Sequence, residues 1–275
     1  MTTTALRTRP TLHSTPWVAF VALLMRDFNV LRKNIVEFII RSVMQPLLFV
    51  FVFTYVFPKI GFGVGGSAAE ATFSSLLVPG VVAIACIFQG IQAVALPLVQ
   101  EFGFTREIED RVMAPLPVWA VAAEKLSAGA VQGLIAAAVV FPLAHWIPIT
   151  PVFLQMEWLR LFTLLPLASV TGAALGLVIG TRVDPRRVPL IFGLVVIPIT
   201  FLGATYYPWA ALTPILWLKY LVLLNPLVYM SEGMRVSMTP YVQHMALWGI
   251  YGGLTLFAVL LGAWGIAGFT KRVQT

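Results

Sequence analysis

The densest group of charged residues lies at 101–111, with the sequence EFGFTREIEDR. Six of these eleven residues are charged, although the whole chain has only 18 Lys and Arg and 11 Asp and Glu among 275 residues. Ile108 and Met113 give the segment an apolar face, and Pro115 and Pro117 end any helix there. A short charged helix with one apolar face suits docking to a soluble protein, and a solvated loop is the alternative.

A second segment, residues 206–235, combines aromatic rings with a pair of opposite charges. Glu232 and Arg235 are spaced i, i+3, so they can pair on one helix face. Amphipathic rings fit either an interfacial belt or the lining of a gate, and the residues alone favour neither. Six of the fifteen Trp and Tyr residues lie here: Tyr206, Tyr207, Trp209, Trp217, Tyr220 and Tyr229.

Residues for catalysis, metal binding or nucleotide binding are not grouped in the sequence. The three histidines are scattered and Cys86 is the single cysteine, so we expect neither a metal site nor an intrachain disulfide. A P-loop needs Gly-Lys followed by Ser or Thr, and none of the five lysines fits. We therefore expect no catalytic residues and no cofactor bound by this chain.

The composition predicts a helical membrane protein that crosses the bilayer several times. Hydrophobic residues make up 59% of the chain, charged residues 11%, and mean hydropathy is +0.91, whereas a soluble domain is about 25% charged. Runs of about 20 apolar residues are long enough to cross a bilayer. We predict six spanning helices, at 38–57, 76–97, 118–144, 159–180, 188–206 and 246–269.

The segment before the first span predicts an amphipathic helix at 15–33, after a polar tail at 1–14. Thr15 can cap this helix and Pro16 suits its first position. Apolar residues recur along one face, as in a helix lying in the cytoplasmic interface, and the alternative is a tilted start of the first span. The remainder divides into one membrane domain, 34–270, and a short tail, 271–275.

The distribution of basic residues predicts that both termini are cytoplasmic. Twelve Lys and Arg residues then face the cytoplasm and four the outside, with Arg41 and Lys125 inside helix ends left uncounted. This topology explains the net charge of +7 without nucleic-acid binding. A seventh span at 207–224 would break the asymmetry, and Pro208, Pro214 and Lys219 favour a re-entrant pair of short helices there instead.

Charges within the spans are candidates for function because they are costly in a membrane. Glu37 and Arg41 can pair at i, i+4, and Glu124 and Lys125 lie about two turns into the third span. Both pairs lie at cytoplasmic helix ends, where snorkelling lowers the cost. This favours structural or interfacial roles over gating. No acidic residue lies at the middle of a span, which argues against an ion-coupled carrier.

The order Tyr207-Pro208, Trp217-Leu218 and Asn225-Pro226…Tyr229…Glu232…Arg235 resembles the carboxy-terminal signature of type-2 ABC exporter permeases. Daunorubicin-resistance, nodulation-factor and polysaccharide-export permeases belong to this family. Leu77-Val78-Pro79-Gly80 opens the second span as in the family, and Arg106–Arg111 with the following Ala114-Pro115-Leu116-Pro117 resembles its cytoplasmic coupling helix. The resemblance covers about residues 15–270.

The resemblance implies an all-α subunit with six spans, an amino-terminal connecting helix and re-entrant extracellular helices before the last span. It also implies dimerisation with a second permease copy and attachment to two cytoplasmic ATPase subunits, which would bind ATP and Mg. Segment 101–114 would contain the coupling helix, with coupling residues Arg106, Glu107, Ile108, Glu109, Asp110 and Arg111. The outer gate would comprise Tyr207, Pro208, Trp209, Trp217, Asn225, Pro226, Tyr229, Glu232 and Arg235.

We therefore expect the permease subunit of an ATP-driven exporter in a bacterial inner membrane. Apolar helices without buried charge suit a hydrophobic or amphiphilic cargo, such as a drug or a lipid. A polysaccharide or glycolipid cargo is the alternative within the family. Outside it, an ATP-independent carrier and a membrane-embedded lipid enzyme are the alternatives.

Overall fold

The computed structural model describes residues 16–60, 67–105, 116–148 and 152–274, and within these ranges the chain forms helices and no strands. The fold is therefore all-α, as the composition predicts. In chain order the helices are α1 (Pro16–Lys33), α2 (Ile35–Phe51, continued by a π-turn at Val52–Val56), α3 (Ser67–Gln100), α4 (Val118–Trp146), α5 (Trp158–Arg182), α6 (Val188–Ile191, continued by a π-turn at Phe192–Val196 and by Ile197–Phe201), α7 (Leu216–Leu221), α8 (Pro226–Met238) and α9 (Leu247–Val273).

Five helical stretches in the described ranges are long and apolar enough to cross a membrane. They correspond to the predicted first, second, third, fourth and sixth spans, and they hold between 22 and 31 residues each. A span needs about 20 residues. The five stretches are Ile35–Val56, Phe73–Gly103, Val118–Trp146, Trp158–Arg182 and Leu247–Val273.

The predicted fifth span, 188–206, corresponds to the shorter helix α6. Its three consecutive helical parts hold four, five and five residues. At 1.5 Å per residue this helix is roughly 21 Å long, less than a hydrocarbon core of about 30 Å. The backbone leaves the helical region at Leu202 and has a positive φ of 51° at Ala204. The six-span count therefore stays a prediction.

The stretch 207–224 is not one long helix. It contains a short 3-10 helix at Trp209–Leu212, then α7 and a second 3-10 turn at Val222–Leu224. The nine residues from Leu216 to Leu224 form a helical run of about 14 Å, less than half of a hydrocarbon core. A single seventh spanning helix is therefore wrong, and re-entrant insertion from the outer face stays a prediction.

Helices α3 and α5 form the centre of the molecule because small residues let their backbones approach closely. A Cβ added at Gly90 would lie 2.7 Å from the carbonyl carbon of Gly172, and one at Gly176 would lie 2.9 Å from the Cα of Ile91. Gly172, Gly176 and Gly180 repeat every fourth residue, the spacing that brings membrane helices into close contact. Helices α4, α8 and α9 pack around this centre.

Helix α1 is separated from α2 by one residue, Asn34, whose ψ of 25° departs from helical geometry. None of its side chains is buried, and it packs against α4 and more weakly against α2. The helix predicted at 15–33 therefore corresponds to α1, which turns away from the first span at Asn34.

Candidate functional site: two ion-pair clusters

Helix α8 contains a fully buried ion pair. The side chains of Glu232 and Arg235 are both 0% exposed, and Nη1 of Arg235 donates to Oε1 of Glu232 over 2.5 Å. The backbone N–H of Trp209 also donates to Oε1, over 2.9 Å, and that of Met245 donates to Oε2, over 2.7 Å. The carboxylate thus ties α8 to the 3-10 helix at Trp209–Leu212 and to the loop before α9.

Arg235 holds the turn that follows α6, residues 203–205. Its Nη2 donates to the backbone oxygen of Ala204 over 3.0 Å. In the described ranges Ala204 is the non-glycine residue with positive φ, a conformation that costs roughly 1–3 kcal/mol. Burial lowers the pKa of the Arg235 guanidinium from its usual range, and the neighbouring Glu232 opposes this shift. The ion pair therefore stabilises a strained turn.

Helix α3 packs directly on the same turn at Gly80. A Cβ added at Gly80 would lie 2.0 Å from the backbone oxygen of Thr205, so only glycine allows this approach. The hydroxyl of Ser231 donates to the backbone oxygen of Gly203 over 2.7 Å. Two segments that resemble the permease family, 77–80 and 225–235, therefore meet at one turn. We call Gly80, the 203–205 turn, Glu232 and Arg235 the Arg235 cluster.

Asn225 and Pro226 form the amino-terminal end of α8. The Asn225 side chain accepts from the backbone N–H of Leu227 over 2.9 Å, and Pro226 occupies the first helical position. The Asn225 amide also donates to the backbone oxygen of Ile199 over 2.6 Å. The Asn-Pro pair therefore both starts α8 and joins it to α6.

The predicted gate aromatics divide into two groups. Trp209 donates from Nε1 to the backbone oxygen of Lys219 over 3.0 Å, and Tyr229 donates to that of Leu223 over 3.1 Å. Tyr207 and Pro208 are partly buried at the start of the same stretch. Trp217 is 70% exposed and contacts neither charge of the Arg235 cluster. Hydrogen bonds thus join Trp209, Glu232 and Arg235, whereas Trp217 is exposed.

A second ion-pair cluster joins three elements that are distant in the chain. The ammonium Nζ of Lys125 on α4 lies 2.9 Å from Oε1 of Glu101 and 3.1 Å from Oδ2 of Asp27 on α1. The Lys125 side chain is 4% exposed, that of Glu101 7% and that of Asp27 15%. Removing one member of such a buried group costs about 3–5 kcal/mol, because the remaining charge stays buried. We call these three residues the Lys125 cluster.

One member of the Lys125 cluster, Glu101, lies five residues before the predicted coupling residues in the chain. Glu101 opens a π-turn, Glu101–Thr105, that continues α3. The predicted coupling residues Arg106–Arg111 follow immediately and lie outside the described residues. Any displacement of residue 106 therefore acts on a turn that Lys125 ties to α1 and α4.

The other predicted span charges differ in their surroundings. Glu124 is 0% and Lys125 4% exposed within a span, so the expectation of apolar helices without buried charge is wrong. Lys125 pairs with Asp27 and Glu101 instead of with Glu124. Glu37 and Arg41 are exposed, and they do not form an ion pair in the described part of the chain. The i, i+4 spacing of Glu37 and Arg41 therefore allows a pair that the described structure does not form.

Three residues of the two clusters were not identified as site residues from the sequence. Asp27 and Glu101 had a signal, since each is an acid beside apolar residues near a predicted span. Ala204 had no such signal, because alanine gives no indication of the positive φ that it adopts between Gly203 and Thr205.

Comparison with known protein families supports the family resemblance of the segments that meet at the Arg235 cluster. The family model "ABC-2 type transporter" matches residues 18–239, most of the chain. The chain belongs to the ABC-2 type transporter family. It is 26% identical over 247 residues to the inner membrane transport permease YadH of Escherichia coli strain K12, covering 88% of this chain and 91% of that protein. The YadH permeases of Escherichia coli O157:H7 and Shigella flexneri match equally.

Membership of the ABC-2 family identifies the chain as a permease-type membrane subunit. The family also implies partnership with ABC ATPase subunits.

Proposed function

We propose that this permease moves a hydrophobic or amphiphilic substrate, such as a drug or a lipid, out of a bacterial cell across the inner membrane. Two copies, or one copy with a homologous partner, form the pathway, and both termini are cytoplasmic. Separate ATPase subunits bind ATP and Mg and attach to residues 106–111. The YadH relatives, named as inner membrane transport permeases, support this location.

The Lys125 cluster is the observation that carries this proposal. A segment pushed by an ATPase transmits force only if its base is fixed to the helices that must move. Lys125 ties Glu101 to α4 and to α1 through contacts of 2.9 and 3.1 Å. Since α1 has no buried side chains, it can tilt with the segment as a unit. Motion of the segment therefore moves α1, α3 and α4 together.

The Arg235 cluster supplies the second part of the proposal, a closed outer gate. The short helices between α6 and α8 are held by the Glu232 carboxylate and by the strained turn at Ala204. Opening a gate built this way requires α3 to shift, because Gly80 packs on the Thr205 backbone. Helix α3 thus connects the coupling segment at one end with the gate at the other.

Purification in mild detergent tests the proposal. The tagged full-length chain, isolated from its native membranes, should carry a P-loop ATPase in near-equal amount and show vanadate-sensitive ATP hydrolysis. Combined replacement of Glu107, Glu109 and Arg111 by Ala should remove the ATPase and abolish export while the chain still inserts.

A control variant, Glu157→Gln, changes an exposed ion pair at the start of α5 and should retain both activities. Normal export by the triple variant would contradict the coupling role. Transport by the purified chain without any ATPase would instead favour the ATP-independent carrier.

A further inference from the structure

A polar cavity lies beside the Lys125 cluster, between α1, α2, α3 and α4. Its volume is about 540 Å³, within the range of roughly 300–1,000 Å³ that small-molecule sites occupy. Uncharged amides contribute to its wall on α3 and α4. The charged residues that line it are Arg26, Asp27, Glu37, Arg41, Glu101 and Lys125, and the amides are Asn34, Gln92, Gln100 and Gln132.

Arg41 lies where this polar cavity meets an apolar groove. The groove, of about 390 Å³, runs along α2 past Met44, Leu48 and Val52. Arg41 lines both spaces, as well as a third, open one of about 520 Å³ at the start of α2. A cation in this position has polar groups on one side and a hydrocarbon-like surface on the other.

Three cations and three carboxylates line the cavity, and among them Arg41 remains available to an anion. The carboxylates of Asp27 and Glu101 are both engaged by Lys125. Arg41 forms no ion pair with Glu37 or with any other acid in the described ranges. A guanidinium presents a planar fork of N–H donors that matches phosphate oxygens, and such bonds are about twice as strong as neutral ones.

We propose that Arg41 binds the phosphate headgroup of an amphiphile whose acyl chain lies in the α2 groove. This rests on the proposed transport function and names the substrate class more closely. The amides of Gln92 and Gln132 donate to the remaining oxygens of the headgroup. Met44, Leu48 and Val52 contact the chain. The order of polar and apolar walls thus matches the order of headgroup and tail in a phospholipid.

The hydrogen-bonded amides of the bundle interior support a polar headgroup at this depth. The Ser42 hydroxyl donates to Oε1 of Gln89 over 2.9 Å, and Nε2 of Gln89 donates to Oε1 of Gln132 over 3.4 Å. These bonds cross from α2 through α3 to α4 and end at a residue that lines the cavity. Polar groups inside a span are expensive, and they commonly mark a substrate path.

Binding to the full-length chain in uncharged detergent, followed by native mass spectrometry, tests the assignment. The probes are dioleoyl phosphatidic acid, dioleoylglycerol and inorganic phosphate. Arg41→Gln should weaken binding of phosphatidic acid about tenfold or more, because a charge-assisted hydrogen bond is lost. Arg41→Lys should bind phosphatidic acid with an affinity between those of Arg41→Gln and the wild type. Arg160→Gln, at the start of α5, should bind it as the wild type does.

Competition between probes distinguishes a lipid headgroup from free phosphate as the ligand of Arg41. Dioleoylglycerol should bind at least about tenfold more weakly than phosphatidic acid, as expected when the charged contact is missing, and should not respond to Arg41→Gln. Millimolar inorganic phosphate should displace little phosphatidic acid, because it lacks the tail. Equal binding of the two lipids, or displacement by inorganic phosphate alone, would overturn the proposal.

A second copy of the chain is the competing occupant of the α2 groove. If the spectra showed dimers that retain no lipid at all, α2 would be an interface and the proposal would fail. The binding experiment uses no ATPase, so its outcome is independent of the co-purification result above.

Discussion

Replacing Glu232 by Gln tests whether the Arg235 cluster holds the fold between α6 and α9. The carboxylate accepts from Arg235, Trp209 and Met245, and its side chain is 0% exposed. A glutamine is neutral, and its amide nitrogen cannot accept the N–H that one carboxylate oxygen accepts now. Leaving the buried guanidinium without its partner should destabilise the protein by about 3–5 kcal/mol.

A matched control exists in the same chain. Glu157 and Arg160 have the same i, i+3 spacing, and Nη1 of Arg160 lies 2.9 Å from Oε1 of Glu157. Their side chains are 40% and 32% exposed, and an exposed pair of this kind contributes about 0–1 kcal/mol. Glu157→Gln should therefore unfold at nearly the wild-type temperature.

The single cysteine provides the assay. Cys86 is 0% exposed on α3, so a thiol-reactive dye reports its exposure when the bundle unfolds. At about 2–4 °C per kcal/mol, Glu232→Gln should lower the unfolding midpoint by on the order of 10 °C. Adding Arg235→Met should restore part of this loss, because no unpaired charge remains buried. If Glu232→Gln and Glu157→Gln lower the midpoint equally, the buried pair is not what holds this region.

Two further substitutions address the other contacts. Lys125→Met leaves two carboxylates without their shared cation, so amide hydrogen exchange in α1 should rise markedly, and unchanged protection of α1 would count against the Lys125 cluster. Gly80→Ala places a Cβ 2.0 Å from the Thr205 oxygen and should lower the thermal midpoint, whereas Gly252→Ala, with nothing within 4 Å, should leave it unchanged or raise it. Equal behaviour of the two glycine variants would show that α3 can shift away from the turn without cost.

Local signals in the sequence predicted the helices closely. Apolar runs bounded by charges and prolines placed α4 and α5 within about two residues of their observed ends, because membrane burial acts on every residue of a span. The start of α8 depends on an equally local signal, since the Asn225 side chain caps the helix and Pro226 presets φ at its first position. The predicted fifth span failed to appear as a long helix because α6 ends at Phe201.

Partners of the charged residues were harder to predict, as the pair Glu124 and Lys125 shows. Neighbours in a helix point about 100° apart, so adjacency in the sequence does not make them contact each other. Lys125 instead contacts residue 27 and residue 101, which reach it only because α1 and the end of α3 pack against α4. Contacts of this kind depend on how helices are arranged, and periodicity within one helix carries no information about that.

By itself the sequence determined which segments are helical, where most of them end and which family they resemble, since hydropathy, capping and proline act over a few residues. Only the tertiary structure decided that Gly80 meets Thr205, that Arg235 holds a positive φ at Ala204, and that Lys125 joins three elements. Each of these contacts depends on close backbone approach between segments far apart in the chain, and packing of whole helices sets that distance.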